Sequence, residues 1–221
     1  MKVTSLSIYK RSKRMSAATD FYFYEPLRGH GLAHDPFKAI VAPRPIGWIS
    51  TLDENGVVNL APYSFYNALC DTPPIVGFSS TGRKDSIRNI EATGEFVANF
   101  VSKSLALAMN TTSAAVGAEV DEMALAGLTP AQCRLVRAPR VAEAPAALEC
   151  KLLQIVRLHD VNGSPLEQYL ALGQVVGVHV DPRYLKNGYF DTAAAQPILR
   201  AGYRGDYAEI SAMFEMLRPG R

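Results

Sequence analysis

The sequence is short of the residues that define several common classes of protein. Its three cysteines, Cys70, Cys133 and Cys150, are far apart and odd in number. This number and spacing of cysteines argue against a disulfide framework and fit a reducing compartment, so we expect a cytoplasmic protein. No stretch approaches the roughly 18 uninterrupted apolar residues that a transmembrane helix needs. His30 and His34 lie four apart, but the glycines and proline around them oppose a helix, so we expect no metal site.

Net charge is small and unevenly placed along the 221 residues. The formal total is +2, yet residues 1–14 hold five cations and no acid, which leaves −3 for the rest of the chain. A body with that charge has no electrostatic footprint for nucleic acid. We expect residues 1–19 to be a basic, disordered tail and residues 20–221 to form one domain. There are two alternatives for the tail. It could be a transit peptide, or its first Met could be an upstream start codon with Met15 as the working initiator.

The hydrophobic pattern is mainly that of antiparallel strands. Two β-rich runs flank an Asn-Gly turn at 55–56 and predict a hairpin. Two longer runs are separated by the turn sequence VNGSP at 161–165. The predicted strands are 46–51, 57–63, 74–80, 95–101, 147–160 and 167–181.

Helices are predicted to be short. One would begin near Asp85 or Ser86 as its N-cap and end at Gly94. The predicted helices are 84–94, 102–113 and 207–220, and 114–145 is predicted to be loop with one helical turn. This order favours a mainly β fold, a closed or nearly closed β-barrel with short helices. A doubly wound sheet would need regular strand–helix alternation and a glycine fingerprint.

One face of the strand at 167–181 has small side chains. Its members are Ala171, Gly173, Val175, Gly177 and His179. A face that small allows close approach, either by another segment of chain or by a flat ligand.

The turn between the 74–80 strand and the following helix has the composition of a phosphate site. Ser79, Ser80 and Gly82 run into Lys84 and Ser86 at the helix start. Hydroxyls, free backbone N–H groups, the helix dipole and a cation together attract phosphate. Turns also contain such residues for purely structural reasons, so this stretch alone leaves both interpretations open.

A second polar stretch precedes that strand. Ser64 and Asn67 stand among Tyr63, Phe65 and Tyr66, which places hydrogen-bonding groups beside flat apolar surface. That combination suits the edge and face of a planar heterocycle. The alternative is a β-corner in which the three aromatic side chains only fill the core.

Read in order, these stretches resemble the flavin reductase-like FMN-binding family, which includes flavoredoxin-type proteins and reductase components of two-component monooxygenases. The resemblance covers roughly residues 20–205. The motifs that carry it are DPFKAIVAPRPIGWISTLDENGVVNLAPYSFYNALCDTPPIVGFSS, KDSIRNI, TGEFVANFV, MNTTS, AGLTP, PRVAEAP and LECKL.

The resemblance implies a Greek-key split barrel that forms a homodimer, with FMN near the subunit interface. It also implies that residues 64–67 lie along the isoalloxazine and ribityl chain and that residues 79–86 take the phosphate. The cofactor-binding residues expected on this basis are Arg44, Ser50, Thr51, Ser64, Phe65, Asn67, Ser79, Ser80, Lys84 and Ser86.

The activity expected from the resemblance is NAD(P)H-dependent flavin reduction through FMN. The expected partner is a flavin-dependent monooxygenase or another electron acceptor. The flavin supplies its own redox chemistry, so no catalytic side chain is expected. His179, Arg200 and Tyr203 are candidates for ordering a nicotinamide, although each also has a structural interpretation. The alternatives are an FMN electron carrier that does not turn over NAD(P)H and a split-barrel oxidase of a phosphorylated amine.

Overall fold

One seven-stranded antiparallel sheet, three two-stranded sheets and short helices make up the fold, as seen in a computed structural model that describes residues 21–220. The chain divides into two compact units, 1–35 and 36–221. The predicted tail at 1–19 lies outside the described residues. In the described part of the first unit, Pro26–Arg28 form a 3-10 turn and the Tyr22 hydroxyl donates to the His30 carbonyl at 2.9 Å.

The second unit holds all thirteen strands and five α-helices of the described residues. The strands are β1 (Gly47–Leu52), β2 (Val58–Tyr63), β3 (Tyr66–Asp71), β4 (Pro74–Thr81), β5 (Glu95–Asn99), β6 (Pro130–Ala131), β7 (Arg140–Val141), β8 (Ala146–His159), β9 (Pro165–Val180), β10 (Leu185–Lys186), β11 (Tyr189–Phe190), β12 (Ile198–Arg200) and β13 (Tyr207–Glu209). The helices are α1 (Phe37–Ile40), α2 (Asp85–Thr93), α3 (Ala106–Thr111), α4 (Glu122–Leu125) and α5 (Thr192–Ala195). Every helix among residues 21–220 is too short or too polar to cross a bilayer.

Seven strands form the main sheet in the order β2-β1-β5-β8-β9-β4-β3, and every neighbouring pair is antiparallel. The mainly β class with short helices is therefore confirmed. The predicted β1–β2 hairpin is present, and Asp53 closes its turn by accepting from the N–H groups of Asn55 and Val57. The long β8 and β9 strands pair across the predicted turn.

Strand β1 is buried on both faces, which makes it the centre of the core. Trp48 and Ile49 are neighbours in sequence, so their side chains point to opposite sides of the sheet. Trp48 packs in the cluster that includes Met109 and Met123, and Ile49 packs in the cluster that includes Phe78. All five side chains have 1% exposure or less.

Helix α2 packs on the second cluster through Ile87 and Ile90, both fully buried. Its end at Gly94 is confirmed: Gly94 adopts φ +71° and its N–H donates to the Ile90 carbonyl. The predicted N-cap was wrong. Lys84 occupies that position, and no side chain caps the helix, because Asp85 forms an ion pair with Arg88 instead.

The predicted C-terminal helix at 207–220 was also wrong. Tyr207–Glu209 form β13 and pair with β12, so their backbone groups bond to another strand rather than along a helix. Beyond them the chain is irregular, and Met213, Phe214 and Met216 are 66–86% exposed. The apolar side chains at 213–217 therefore remain largely exposed, and isolated short helices are marginal in water.

The small-residue face of β9 is filled by the protein itself. A Cβ added at Gly173 would overlap the Phe96 ring, and one added at Gly177 would lie 3.2 Å from the Glu149 carboxyl carbon. The first of the two sequence interpretations, close approach of another chain segment, is confirmed. The flat-ligand interpretation of this face was wrong.

Candidate functional site

Two cavities lie along one continuous stretch of chain. The α2 pocket, about 540 Å³, is lined by residues of 59–63, 81–88 and 112–116 together with Glu122. The β3 pocket, about 440 Å³, is lined by 40–45, 64–67, Leu69, Gly77 and Leu170. Residues 59, 61, 62 and 63 line the first, and residues 64–67 line the second, so the chain passes directly from one pocket to the other.

The α2 pocket has the start of a helix in its wall because β4 ends in a tight turn. Gly82 adopts φ +77°, and the Ser80 hydroxyl donates to its carbonyl at 3.1 Å. The chain then enters α2 through Lys84, whose extended backbone gives the N-cap position without a side-chain bond. The N–H groups of the first turn are thus left for another acceptor, and the helix dipole favours an anion there.

Most of the charged side chains that line the α2 pocket have an ion-pair partner. Arg83 forms an ion pair with Glu91, and Arg88 forms one with Asp85. Among the described residues that line this pocket, Lys84 is the one cation without a carboxylate partner. It is exposed and adjoins the uncapped helix start, so it is available to an anion.

A buried hydrogen-bond network fixes Ser86 in the wall of the pocket. The Asn59 amide donates to Ser86 Oγ at 3.0 Å and to Thr51 Oγ1 at 3.1 Å, and the Asn89 amide donates to Thr51 Oγ1 at 3.0 Å. Ser86 is 1% exposed. Burial raises the pKa of Tyr63, and its contacts with the Ser86 and Ser80 hydroxyls partly offset this effect.

Glu122 places a carboxylate in the same pocket. Its Oε2 accepts from the Leu60 N–H at 2.9 Å, and the residue is 7% exposed. Burial raises the pKa of Glu122, and the negative charges of Asp85 and Asp121 add to the effect. The folded protein therefore disfavours a negative charge at this position.

The β3 pocket is organised by Arg44. Its Nη1 donates to the carbonyls of Lys38 and Val41, and its backbone exchanges two hydrogen bonds with Arg200. The guanidinium carbon lies 5.9 Å from the centre of the Phe65 ring. The buried Nε of Arg44 has no hydrogen-bond partner among the described residues. The pocket thus combines an exposed aromatic ring with a donor that is not satisfied.

The structure brings six of the ten sequence-predicted residues to these two pockets and places the other four elsewhere. Lys84 and Ser86 line the α2 pocket, and Arg44, Ser64, Phe65 and Asn67 line the β3 pocket. The four that line neither pocket are Ser50, Thr51, Ser79 and Ser80.

Each of those four hydroxyls has an internal partner. Ser50 is fully buried and donates to the Pro139 carbonyl at 2.6 Å. Thr51 supports Asn59 and Asn89, and Ser79 accepts from the Gln168 amide at 2.5 Å. These hydrogen bonds hold the strands and the turn that form the pockets.

Sequence reasoning missed Asn59, Glu122 and the loop at 112–116. Asn59 is a buried amide inside an apolar strand, a pattern that signals a polar network. Glu122 carried no comparable signal, because its position depends on a contact with β2 62 residues away in sequence.

The three candidates for ordering a nicotinamide do not line either pocket. His179 Nε2 lies 2.6 Å from Glu149 Oε1, and the His179 side chain is partly exposed. The Arg200 guanidinium lies 4.7 Å from the centre of the Tyr207 ring and helps to hold β12 against β13.

Comparison with known proteins identifies the family. Residues 41–197 match the model of the flavin reductase like domain. This chain belongs to the flavin reductase-like family. A curated relative from Halalkalibacterium halodurans is 37% identical over 186 residues, which cover 81% of this chain and 87% of that protein.

Solved structures place the chain in the split-barrel fold. Nitrilotriacetate monooxygenase component B from Bacillus cereus is 29% identical, with a TM-score of 0.77 over 97% of this chain and all of that one. A Shewanella frigidimarina protein with a split barrel domain is 23% identical, with a TM-score of 0.73 over 82% and 89% of the two chains. Flavoredoxin from Desulfovibrio vulgaris is 23% identical, with a TM-score of 0.71 over 80% and 92%.

Glu122→Gln is expected to raise the thermal unfolding midpoint at about pH 8. The raised pKa of Glu122 means that stability is lost as pH rises through the folded-state value, and glutamine removes that loss. The difference in unfolding midpoint between Glu122→Gln and the parent should disappear below the unfolded-state pKa of about 4.3. Calorimetry across this pH range measures it.

Glu54→Gln, at an exposed hairpin position, is the control and should show no such pH-dependent gain. A Glu122→Gln midpoint that is lower than the parent's at both ends of the range would mean that the bond to Leu60 outweighs the charge.

Proposed function

We propose that the protein binds FMN, with the phosphate in the α2 pocket and the isoalloxazine in the β3 pocket. The observation that carries this proposal is the path of the chain at 59–67, where Asn59 and residues 61–63 line the α2 pocket and residues 64–67 line the β3 pocket. FMN has a charged end and a flat aromatic end joined by a flexible chain. Its shape therefore matches one polar pocket beside one aromatic pocket.

The residues in the α2 pocket fit a phosphate group. The uncapped start of α2 offers N–H donors, Ser86 offers a fixed hydroxyl, and Lys84 offers an unpaired charge. In the β3 pocket, Phe65 offers a ring face, while Ser64 and Asn67 offer polar groups to the edge of a heterocycle. The unsatisfied Nε of Arg44 supplies a further donor on that side.

The proposed activity is NAD(P)H-dependent reduction of flavin through bound FMN. When bound, FMN supplies the hydride and electron chemistry, and the chain binds and orients it and limits its contact with water. A flavin-dependent monooxygenase is a proposed partner, since a monooxygenase component is among the similar structures.

The alternative function is an electron carrier of the flavoredoxin type, which would use the same FMN site without turning over NAD(P)H. The structural likeness to a flavoredoxin favours keeping it. An oxidase of a phosphorylated amine would share the barrel but is not favoured by the family match.

Lys84→Ala is expected to weaken FMN binding by about 1–3 kcal/mol, the scale of a hydrogen bond to a charged group. Riboflavin, which lacks the phosphate, should bind the parent more weakly than FMN and should bind the variant and the parent equally. Flavin fluorescence titrations measure both ligands. Lys186→Ala, another exposed lysine, is the matched control and should leave both affinities unchanged.

Equal FMN affinity in parent and Lys84→Ala, or an equal loss for riboflavin, would remove the phosphate from this pocket. Ser86→Ala is the weaker test. Ser86 is buried and bonded to Asn59, so its loss should reduce folding stability by about 1 kcal/mol as well as affinity.

Stopped-flow mixing of the FMN-loaded protein with NADH or NADPH separates the reductase from the carrier. A reductase should bleach the flavin absorbance near 450 nm in a phase whose rate rises with nucleotide concentration and then saturates. Dithionite reduction of the same sample is the control for a competent flavin. Flavin that dithionite reduces but neither nucleotide does would exclude the reductase and leave the carrier.

We also propose that the protein is a homodimer whose interface adjoins the flavin sites. Support comes from exposed apolar side chains on β3, β8 and β9: Leu69, Leu153 and Val178 are 50–62% exposed. Obligate homodimers bury more than about 2,000 Å² of mostly apolar surface. Sedimentation followed at the flavin absorbance should show a dimer that releases FMN on dilution to monomer. A monomer that retains FMN would contradict the interface but not the phosphate site.

A further inference from the structure

A third cavity, here called the β7 cavity, shares no lining residue with either proposed flavin pocket. Its volume is about 350 Å³, within the range of pockets that hold small molecules. It is bounded by β7, the start of β8 and the end of β9. Its lining residues are Arg140, Ala142, Ala144, Ala146, Ala147, His179, Val180, Asp181 and Pro182.

Arg140 is the unusual member of this lining. Its Nε is buried and has no hydrogen-bond partner, and no ion pair or side-chain hydrogen bond of Arg140 occurs among the described residues. Its backbone is held in place by pairing with Ala131 and by the bond from the Val141 N–H to Asn99 Oδ1 at 2.8 Å. A buried donor without a partner is uncommon in native proteins and is destabilising unless something binds to it.

The acids near the cavity are already paired. Asp181 accepts from the Arg183 backbone and forms an ion pair with its guanidinium. Glu149, 1% exposed, accepts from three backbone N–H groups at 134–136 and contacts His179. The lining therefore has one unpaired positive charge, on Arg140.

A metal ion is not the natural occupant. One ligand atom each from Cys133, Glu149 and His179 lie within 4.8 Å of one another. Both Glu149 oxygens, however, are engaged by backbone N–H groups that a metal would have to displace. Burial and the Glu149 charge raise the pKa of Cys133 to about 11, so its thiol is a poor ligand.

We propose that the β7 cavity binds a small organic monocarboxylate through Arg140. A guanidinium matches a carboxylate with two parallel hydrogen bonds. One negative charge balances the one unpaired cation, whereas a phosphate dianion would leave an excess charge. Polar groups of His179 and Asp181 share the rest of the wall with alanine methyl groups and the Pro182 ring, and the volume of about 350 Å³ limits the ligand to a small molecule.

Benzoate is the probe, with benzamide as the neutral match and inorganic phosphate as the dianion. Titrations of the purified protein, followed through the arginine ¹⁵Nε–H signals, should show one signal shifting with benzoate. That signal should be absent in Arg140→Gln. Benzoate affinity should fall about tenfold or more in Arg140→Gln, and benzamide should bind the parent more weakly than benzoate by a similar factor.

Two further variants locate the effect. Ala142→Leu keeps the charge but fills an exposed part of the cavity, so it should also weaken benzoate. Lys84→Ala, in the α2 pocket, should leave benzoate affinity unchanged, which separates this site from the proposed flavin site. Unfolding midpoints of the unliganded variants establish that each is folded.

The proposal is overturned if a folded Arg140→Gln binds benzoate as well as the parent, or if benzoate shifts no arginine Nε–H signal. It is also overturned if phosphate binds the parent more tightly than benzoate, because the occupant would then be a different class of anion. Loss of benzoate binding in Lys84→Ala together with retention in Arg140→Gln would assign the binding to the α2 pocket.

Discussion

The arrangement of the α2 pocket depends on one small network of buried hydrogen bonds. Thr51 of β1 accepts from Asn59 of β2 and from Asn89 of α2, and Asn59 also donates to Ser86. These bonds join a hairpin to a helix that lies more than 25 residues further along the chain. A satisfied network in a low-dielectric interior fixes geometry more strictly than apolar packing does. It thereby sets the start of α2 opposite residues 59–63.

The same geometry determines the electrostatics of the site. Because α2 begins at an uncapped Lys84, its dipole and that lysine act on the same space. Arg83 is paired with Glu91, and Arg88 is paired with Asp85, so the two arginines add little net charge to the α2 pocket. Glu122 opposes the anion unless it is protonated, and its raised pKa favours that form.

Local patterns were enough to predict much of the fold and part of the site. The β1–β2 hairpin, β4, α2 and the β8–β9 pair follow from turn residues and alternation within short windows. Lys84 and Ser86 could be found because a helix start is a local feature. The positions of Ser50 and Ser79 could not, since each hydroxyl points to a partner 89 residues away in sequence. The 207–220 helix failed for a related reason: β12, not local propensity, decides the conformation of Tyr207–Glu209.

The central claim is that one continuous stretch, residues 59–67, holds both ends of FMN, and a crystal structure of the protein grown with FMN tests it most directly. The account predicts the phosphate at the start of α2, within about 3 Å of Lys84 Nζ or the Ser86 hydroxyl, as expected for hydrogen bonds. It predicts the isoalloxazine against residues 64–67. Density for the phosphate at any other position, or for the ring away from Phe65, would contradict it.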